Sequence, residues 1–508
     1  MKNFCSLQNT FWLLFVGFSF SPLAFAQKKQ DWSRDLQAAN SNRERGAVAA
    51  QIFKDSARTP TIEQLRNRIR AFKDNGYLGL ALVDSQILFE NFNPRRADLI
   101  RLSEIVLELG AYDFLTGQFE KYEKFFENNL PDEWKIVRSA YYLRNSNPTA
   151  AQKWLPGIRP PKGLENSKAL AQFFIVQGYA RYFTGDIQGA LTVLRNLALE
   201  FTDLNPYQAS LARQLRAQIF FTQGQLQTAL NETSAIPRNT PQWFESVRLG
   251  AWSAYRLGDF NLTLGQLMTL HSPYLVGKFS PESLVLEAAT LYQLCHYSSA
   301  KKSIEKLRNR YQGFLRDLDL FSSNQGSRLN AVVWPWTYAT TNRKAPAGYK
   351  QQNWDRLMDG ILQSESVTES GLLANQIDFD ESLVVQHFKP QNRFERTLYQ
   401  RYVTTLRSMF KESLRLGRKA IEARLPILRD EVSQSLESAL AVEVEINSRL
   451  RERLALKTQA QERDVDFEAS LNKGFEFWPF QGEFWRDETG HYFFATTDVC
   501  EKSLAGAR

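Results

Sequence analysis

A short pattern repeats along this 508-residue chain: a turn residue, an apolar residue two positions later, and a small residue three positions after that. The stretch "TGDIQGAL" shows it with Gly185, Ile187 and Ala190. Apolar residues at helical spacing flank each turn, so every repeat is predicted to be two helices joined by a tight turn. Such a pair cannot bury its own apolar face, whereas stacked pairs can, so the pattern predicts an α-solenoid. The turn residues are Gly76, Gly117, Asn145, Gly185, Gly224, Gly258 and Cys295.

The stretch "GYARYFTGDIQGALTVL" resembles the tetratricopeptide repeat (TPR) family through Gly178, the Gly-Asp turn at Gly185 and the alanine at Ala190. "AWSAYRLGDF" carries similar features. The resemblance covers residues 61–311 and implies a helix-pair solenoid that binds proteins or peptides. The chain departs from the family because its Trp and final Pro are mostly missing and Cys295 replaces a glycine.

An aromatic residue stands three positions before six of the seven turns. Two interpretations are open. The rings line a concave groove and stack on an extended peptide or partner helix, or they pack between successive first helices and never meet a ligand. The six residues are Phe114, Tyr142, Tyr182, Phe221, Tyr255 and Tyr292.

The N-terminus has the features of an export signal. Residues 1–26 hold one lysine, a short apolar run and a small-x-small ending at Ala26. They predict cleavage before Gln27, and residues 27–60 then form a lead-in to the repeats. No other stretch is long and apolar enough to cross a bilayer. We therefore expect an exported protein, soluble after cleavage and periplasmic, with secretion as the alternative.

Charge and cysteine content narrow the functional classes. The formal net charge is +8, with basic and acidic residues interspersed, which does not indicate a nucleic-acid groove. No cluster has metal-ligand spacing, so no metal or cofactor is expected. Outside the signal, Cys295 and Cys500 either form a disulfide, which an oxidising compartment permits, or remain two separate buried thiols.

The second half of the chain departs from the repeat. Residues 312–392 are predicted to be an irregular connector with short helices, and residues 393–466 to be long, charged, amphipathic helices. Pro426 marks a turn or kink, so these helices form an antiparallel hairpin, a kinked rod, or a coiled coil with another molecule. Residues 467–508 are predicted to be a small β element, because aromatic runs flank Gly490 at a hairpin bend. The predicted fold is thus all-α with this small addition.

The aromatic residues of the C-terminal segment form a second candidate patch. They suit a structural cap or docking knob, a platform for glycan or peptide, or, with nearby acids, an acid/base site. The four residues of the patch are Trp478, Phe480, Trp485 and Tyr492.

These patterns favour a non-catalytic scaffold or adaptor of the bacterial cell envelope, with an envelope protein, a peptide or a cell-wall glycan as its partner. The alternative is a peptidoglycan-active enzyme. "QSESVTESGLL" resembles part of the lytic transglycosylase motif through Glu365 and Glu369. Its spacing is wrong and the Met-Gln is missing, so no catalytic residue is expected.

Overall fold

The architecture is taken from a computed structural model of the full chain. The predicted export signal and lead-in, and most of the predicted β element, lie outside the residues that it describes. Those residues are 61–115, 117–126, 129–145, 147–155, 168–200, 206–323, 350–455, 482–494, 496 and 500.

Within these ranges the secondary structure is helical, and no strand occurs. Short 3-10 helices at Tyr112–Leu115 and Pro273–Leu275 supplement the α-helices. The α-helices are α1 Ile62–Asp74, α2 Leu78–Asn91, α3 Arg96–Leu109, α4 Phe119–Phe126, α5 Asp132–Arg144, α6 Pro148–Lys153, α7 Lys168–Phe183, α8 Ile187–Glu200, α9 Pro206–Thr222, α10 Leu226–Ser234, α11 Trp243–Leu257, α12 Phe260–Leu270, α13 Pro281–Gln293, α14 Tyr297–Ser323, α15 Gln351–Leu362, α16 Glu365–His387 and α17 Arg393–Ala455. None of these helices combines the length and apolar character needed to span a bilayer.

The chain forms two compact units. Unit 1 takes the described residues of Met1–Ala209 and Ser364–Ala420, and unit 2 takes those of Ser210–Leu329, Thr341–Gln363 and Ile421–Arg508. In unit 1, α1 packs on α2, α2 on α3, α5 on α6, and α7 on α8. In unit 2, each helix from α10 to α14 packs on its successor. Neighbours in sequence are therefore neighbours in space, as in a TPR-like helical repeat.

Most turns between paired helices are made by a residue in the left-handed region, although Asn145, between α5 and α6, has φ −89°. Gly185 has φ +87°, and its N–H donates to the carbonyl oxygen of Tyr182. Glycine suits this conformation because it has no Cβ to meet the following carbonyl. One predicted turn is misplaced, because Gly117 is not in this conformation and Gly110, which ends α3, is. The left-handed turn residues of the series are Gly76, Gly110, Gly185, Gly224, Gly258 and Cys295.

Small residues early in the second helices let the paired helices approach closely. Gly178 on α7 faces α8 in the same way, since a Cβ there would lie 2.8 Å from Leu194 Cδ2. Leucine or phenylalanine at these positions would force the helices apart. The small residues of the second helices are Ala81, Ala190, Ala229, Thr263 and Ala300, and all are fully buried.

Regular helices fill the described parts of the predicted connector. Helix α14 continues past the predicted end of the repeats at residue 311 to Ser323, and α15 and α16 follow. Trp354, Leu357 and Ile361 lie on one face of α15 and are buried, which gives that segment a reason to be helical.

A single helix covers most of the predicted amphipathic region, and Pro426 lies inside it. The hairpin alternative is therefore wrong. A proline removes one backbone hydrogen bond, but the apolar stripe that follows holds the helix in unit 2, where Leu428 and Val432 are fully buried. Arg308 of α14 forms an ion pair with Glu443 on this stripe.

The predicted C-terminal β element is corrected. Residues 482–494 contain a run of turns over Arg486–Gly490 followed by an irregular extended segment, and no strand pairing. Gly490 does have the positive φ expected of a bend, at +97°. However, the Phe494 N–H beyond it donates to the Asn261 carbonyl oxygen of α12 rather than to a partner strand.

Candidate interaction site

Four residues of the aromatic series occupy equivalent positions in the last turn of a first helix. In each, the carbonyl oxygen accepts a hydrogen bond of 3.0–3.1 Å from the N–H of the left-handed turn residue. The helix C-terminus therefore fixes the direction of the side chain. The four residues are Tyr182, Phe221, Tyr255 and Tyr292.

These four side chains differ in exposure. Phe221 is 3% exposed, and the Arg256 guanidinium lies 4.8 Å from its ring centroid, so this ring belongs to the core. Tyr182, Tyr255 and Tyr292 are half-buried. The core interpretation therefore holds for Phe221, whereas the three tyrosines pack part of their ring surface and leave the rest accessible to a partner.

Contacts within the helix pair position the half-buried rings. Tyr255 lies 5.8 Å from Phe260, and Tyr292 lies 5.8 Å from Tyr297, between ring centroids. In both cases the neighbour is the first residue of the second helix. The rings are held by packing before any partner arrives, which reduces the entropy that binding would cost.

The other two residues of the series have different surroundings. Arg138 donates to the Tyr142 hydroxyl at 3.0 Å and lies 5.0 Å from its ring centroid. Phe114 is in the 3-10 helix Tyr112–Leu115, because the turn expected at Gly117 is not formed. It lines a cavity of about 520 Å³ in unit 1 whose charged lining residues carry both signs.

A buried polar cluster lies in the interior of unit 1. Arg68 of α1 donates through Nε to Asp84 of α2 at 2.8 Å, and through Nη2 to the Tyr402 hydroxyl of α17 at 2.6 Å. Tyr402 in turn donates to Asp84. Burial, followed by the effect of Asp84, raises the pKa of Tyr402 well above its usual range. All three side chains are buried, so the cluster joins three helices rather than facing a substrate.

Asp380 of α16 caps a helix to which it does not belong. It is fully buried and accepts hydrogen bonds from the backbone N–H groups of Gly79 (2.7 Å) and Leu80 (3.2 Å), at the start of α2. Tyr77, the N-cap residue just before α2, gives no side-chain cap of its own. Burial raises the pKa of Asp380 to about 7, although these hydrogen bonds oppose the shift.

Unit 2 brings a serine, a histidine and a glutamate together, a grouping that no sequence motif predicted. His271 Nε2 lies 3.0 Å from Ser283 Oγ, and His271 Nδ1 lies 3.7 Å from Glu287 Oε2. Burial alone would raise the pKa of Glu287, but His271 and other neighbours lower it to about 2. Ser283 is only 3% exposed, and its hydroxyl donates to the Ser280 carbonyl at 2.7 Å. A nucleophile needs an accessible oxygen and a base that takes its proton, so this arrangement is structural.

The acids of the transglycosylase-like stretch lie on α16. Glu369 Oε2 is 3.2 Å from Arg144 Nη1, and Glu369 is itself buried. An acid that protonates a leaving group must be free to hold a proton at neutral pH, whereas a paired arginine favours the charged form. Glu369 therefore has the surroundings of a structural ion pair.

The C-terminal segment lies along one face of α12 in unit 2. We call residues 482–494 with Thr496 the C-terminal strap. Gly490 N donates to Thr269 Oγ1 at 3.0 Å, and Phe494 N donates to the Asn261 carbonyl oxygen at 3.3 Å. Between them, a Cβ on Gly265 would lie 2.0 Å from the Tyr492 carbonyl oxygen, so only glycine allows this approach.

The face that receives the strap has a sequence signature. Asn261, Gly265 and Thr269 are four residues apart, and residues at that spacing share one side of a helix. Two small polar residues around a glycine form a stripe to which an extended backbone can bind. Sequence analysis did not identify these residues, although their spacing was visible.

A disulfide links this region to the last repeat turn. Cys295 and Cys500 are bonded, with their Cα atoms 5.4 Å apart. This decides between the two alternatives left open for these cysteines. Cys295 stands where the other left-handed turns of the series have glycine, and it has φ +61°. Thr496 Oγ1 also lies 3.0 Å from His296 Nε2, next to the disulfide.

Half of the predicted C-terminal patch lies on the strap. Trp485 is 48% exposed, and its backbone N–H and carbonyl both bond to the Tyr492 hydroxyl, at 3.0 and 2.9 Å. Tyr492 is half-buried. Trp478 and Phe480 lie outside the residues that the structure describes. The described half is thus a small folded knob with one accessible indole.

No group of three or more metal-ligating side chains occurs among the described residues. Comparison with known proteins adds little. No family model and no curated protein sequence matches this chain. Among solved structures it is similar to the TPR domain of P58(IPK), with 16% identity over 69% of this chain and 99% of that one, and a TM-score of 0.17. A score this low does not establish a shared fold, so the helix-pair repeat rests on the packing and turns described above.

Proposed function

We propose that this protein is a non-catalytic scaffold or adaptor of the bacterial cell envelope that binds a protein or peptide through its helix pairs. The observation that carries the proposal is the repeated placement of half-buried tyrosines. Tyr182, Tyr255 and Tyr292 occupy the same position in three of the repeats, fixed by the same backbone hydrogen bond. Pre-positioned aromatic side chains are a common source of binding energy at protein interfaces.

The surroundings of the ionisable groups support a non-catalytic role. Asp84 and Glu369 pair with arginines, and Asp380 caps a helix. We expect a serine-reactive fluorophosphonate probe to leave Ser283 unlabelled in the folded protein, because its oxygen is buried. Labelling that the Ser283→Ala variant abolishes would instead favour a hydrolase.

The location is proposed from the N-terminal sequence. Residues 1–26 have the composition of an export signal, so the protein purified from a periplasmic fraction should begin at Gln27. N-terminal sequencing checks this, and a cytoplasmic protein that retains Met1 would contradict it.

A pull-down from envelope extract tests the binding surface. We expect Tyr255→Ala with Tyr292→Ala to reduce partner recovery about tenfold or more, since the loss of aromatic anchors often costs over 1 kcal/mol each. The control pair, Tyr255→Phe with Tyr292→Phe, keeps the rings and should keep the partner. Tyr142→Ala with Tyr182→Ala tests unit 1 separately. Phe221 is left unchanged because it is buried.

Circular dichroism first establishes that each variant is folded. If folded alanine pairs of both units recover the same partners as the unchanged protein, the tyrosines are packing residues and the proposed surface is wrong.

A further inference from the structure

The C-terminal strap and α12 match in length and run antiparallel where they are in contact. From Thr269 to Asn261 the helix rises roughly 12 Å, and the four residue-to-residue steps from Gly490 to Phe494 cover about 13 Å when extended. The two segments run in opposite directions, since Gly490 contacts Thr269 and Phe494 contacts Asn261. Because the two lengths match, an extended backbone can make the contacts at both ends of this stretch at the same time.

The contacts that α12 makes are with main-chain atoms. Thr269 accepts from a backbone N–H, and the Asn261 carbonyl oxygen accepts from another. The Asn261 side-chain amide, in the orientation that satisfies both of its ends, donates to the Phe494 carbonyl oxygen at 2.9 Å. Gly265 leaves room for the Tyr492 carbonyl. A face built in this way recognises an extended peptide backbone.

The strap's apolar side chains contribute only part of its attachment. Trp485 and Phe494 are 48% and 39% exposed. Much of the attachment is polar, and hydrogen bonds exchanged with water contribute modestly. The disulfide adds a covalent anchor beyond the end of the strap, which keeps it at high effective concentration over α12.

We propose that Asn261, Gly265 and Thr269 form a binding site for an extended peptide, and that the C-terminal strap covers it while the Cys295–Cys500 disulfide is closed. Opening requires a dithiol reductant. One of its thiolates attacks Cys500 Sγ, because Cys500 is half-buried whereas Cys295 is buried. The sulfur–sulfur bond breaks, Cys295 leaves as a thiolate and takes a proton, and a mixed disulfide forms.

The second thiol of the reductant then attacks the mixed disulfide. Cys500 leaves as a thiolate and is protonated, and the reductant becomes a cyclic disulfide, so two electrons pass to the protein. The strap then remains attached to α12 only by non-covalent contacts, and a peptide of similar backbone geometry can replace it.

Hydrogen exchange of the full-length protein tests the lock. We expect reduction by dithiothreitol to speed exchange of the Gly490 and Phe494 amides at least tenfold, while amides in the middle of α13 and α14 keep their protection. Unchanged strap exchange, with both thiols shown to be free, overturns the lock. Loss of protection throughout unit 2 also overturns it, because the disulfide would then be a structural staple.

A labelled peptide tests the site. The probe has the sequence of residues 484–496, FWRDETGHYFFAT, and binding is followed by fluorescence anisotropy. The receptor is the full chain with Cys500→Ser and Gly490→Ala. The second change weakens the chain's own strap, because Gly490 has φ +97° and an added Cβ would lie 2.9 Å from the Trp243 ring. The face on α12 is untouched.

We expect the peptide to bind this variant at least tenfold more tightly than it binds the oxidised, unchanged protein. Adding Gly265→Ala should abolish binding, since its methyl group occupies the place of the Tyr492 carbonyl. The site is overturned if the folded double variant does not bind the peptide. It is overturned equally if the Gly265→Ala variant or a scrambled peptide gives the same affinity.

Discussion

The paired helices α1 and α2 of unit 1 and the strap on α12 of unit 2 both depend on polar contacts, but in different environments. Asp84 and Arg68 meet where both side chains are buried. The strap lies at the surface, where Arg238 donates to the backbone carbonyls of Arg486 and Asp487. A buried charge has no water to replace a lost partner, whereas an exposed group does. Loss of a polar contact between α1 and α2 should therefore favour unfolding, whereas loss of a contact in the strap should only release the strap from α12.

Among the substitutions that test this difference, the largest change in the free energy of unfolding is expected at Asp84. Replacing it with alanine leaves the Arg68 charge buried without its partner, and such losses cost about 3–5 kcal/mol. Urea unfolding followed by circular dichroism measures the change. The double variant Arg68→Met/Asp84→Leu should recover much of the loss, because no charge is then left unpaired. A cost below about 1 kcal/mol for Asp84→Ala would remove the distinction between the regions.

A pH-dependent effect is expected from Asp380. Its pKa is raised to about 7 in the folded protein, against about 3.9 in an unfolded chain. The folded state therefore binds its proton more tightly. This group's contribution to the free energy of unfolding should be largest below pH 4, fall between pH 4 and 7, and stay constant above. The full fall is of order 4 kcal/mol.

The matched variant for this measurement is Asp380→Asn, which keeps an acceptor for the α2 N–H groups and cannot ionise. The difference between the two unfolding curves isolates the contribution of Asp380. If the unchanged protein and the variant have parallel pH profiles from pH 4 to 7, the pKa of this carboxyl is not raised.

A smaller and local effect is expected at Arg238. Its replacement by alanine removes donors to two strap carbonyls, worth about 0.5–1.5 kcal/mol, and the group is exposed, which favours the lower value. Strap amides should exchange faster by roughly tenfold or less, and α1 and α2 should not respond. An equal response in both regions would contradict the idea of local release.

The smallest effect is expected at Trp485. Its side chain is 48% exposed, and its link to Tyr492 runs through the backbone, so Trp485→Ala should change the free energy of unfolding by less than about 0.5 kcal/mol. The shift in urea midpoint measures this. A loss above about 1 kcal/mol would show that the indole is a packing anchor and not an accessible surface.

Local sequence patterns predicted the repeats well where a glycine in the left-handed region ends a first helix, as at Gly185 and Gly258. The prediction was wrong at Gly117. The stretch "TGQF" resembles the other turn sequences, but the left-handed conformation is adopted at Gly110 instead. With Gly110 in place, the aromatic before the turn is replaced by the buried Leu107. That residue explains why Phe114 does not belong to the series.

Contacts between segments that are distant along the chain could not be predicted from local sequence patterns. The hydrogen bond from Gly79 to Asp380 joins residues 301 apart, and the disulfide joins residues 205 apart. Nothing in either local sequence specifies the partner. The strap was mistaken for a hairpin for the same reason, since its hydrogen-bonding partner is a helix more than 200 residues earlier.

Cys295 performs two tasks with opposite energetic signs. Its backbone adopts a conformation that a residue with a side chain adopts at a cost of about 1–2 kcal/mol, while its sulfur forms the covalent bond to Cys500. Under reducing conditions only the penalty remains. Cys295→Gly relieves that penalty and Cys500→Ser does not, although neither variant can form the bridge. Because both variants lack the disulfide, the difference between their melting temperatures would measure the cost of the left-handed backbone conformation at position 295.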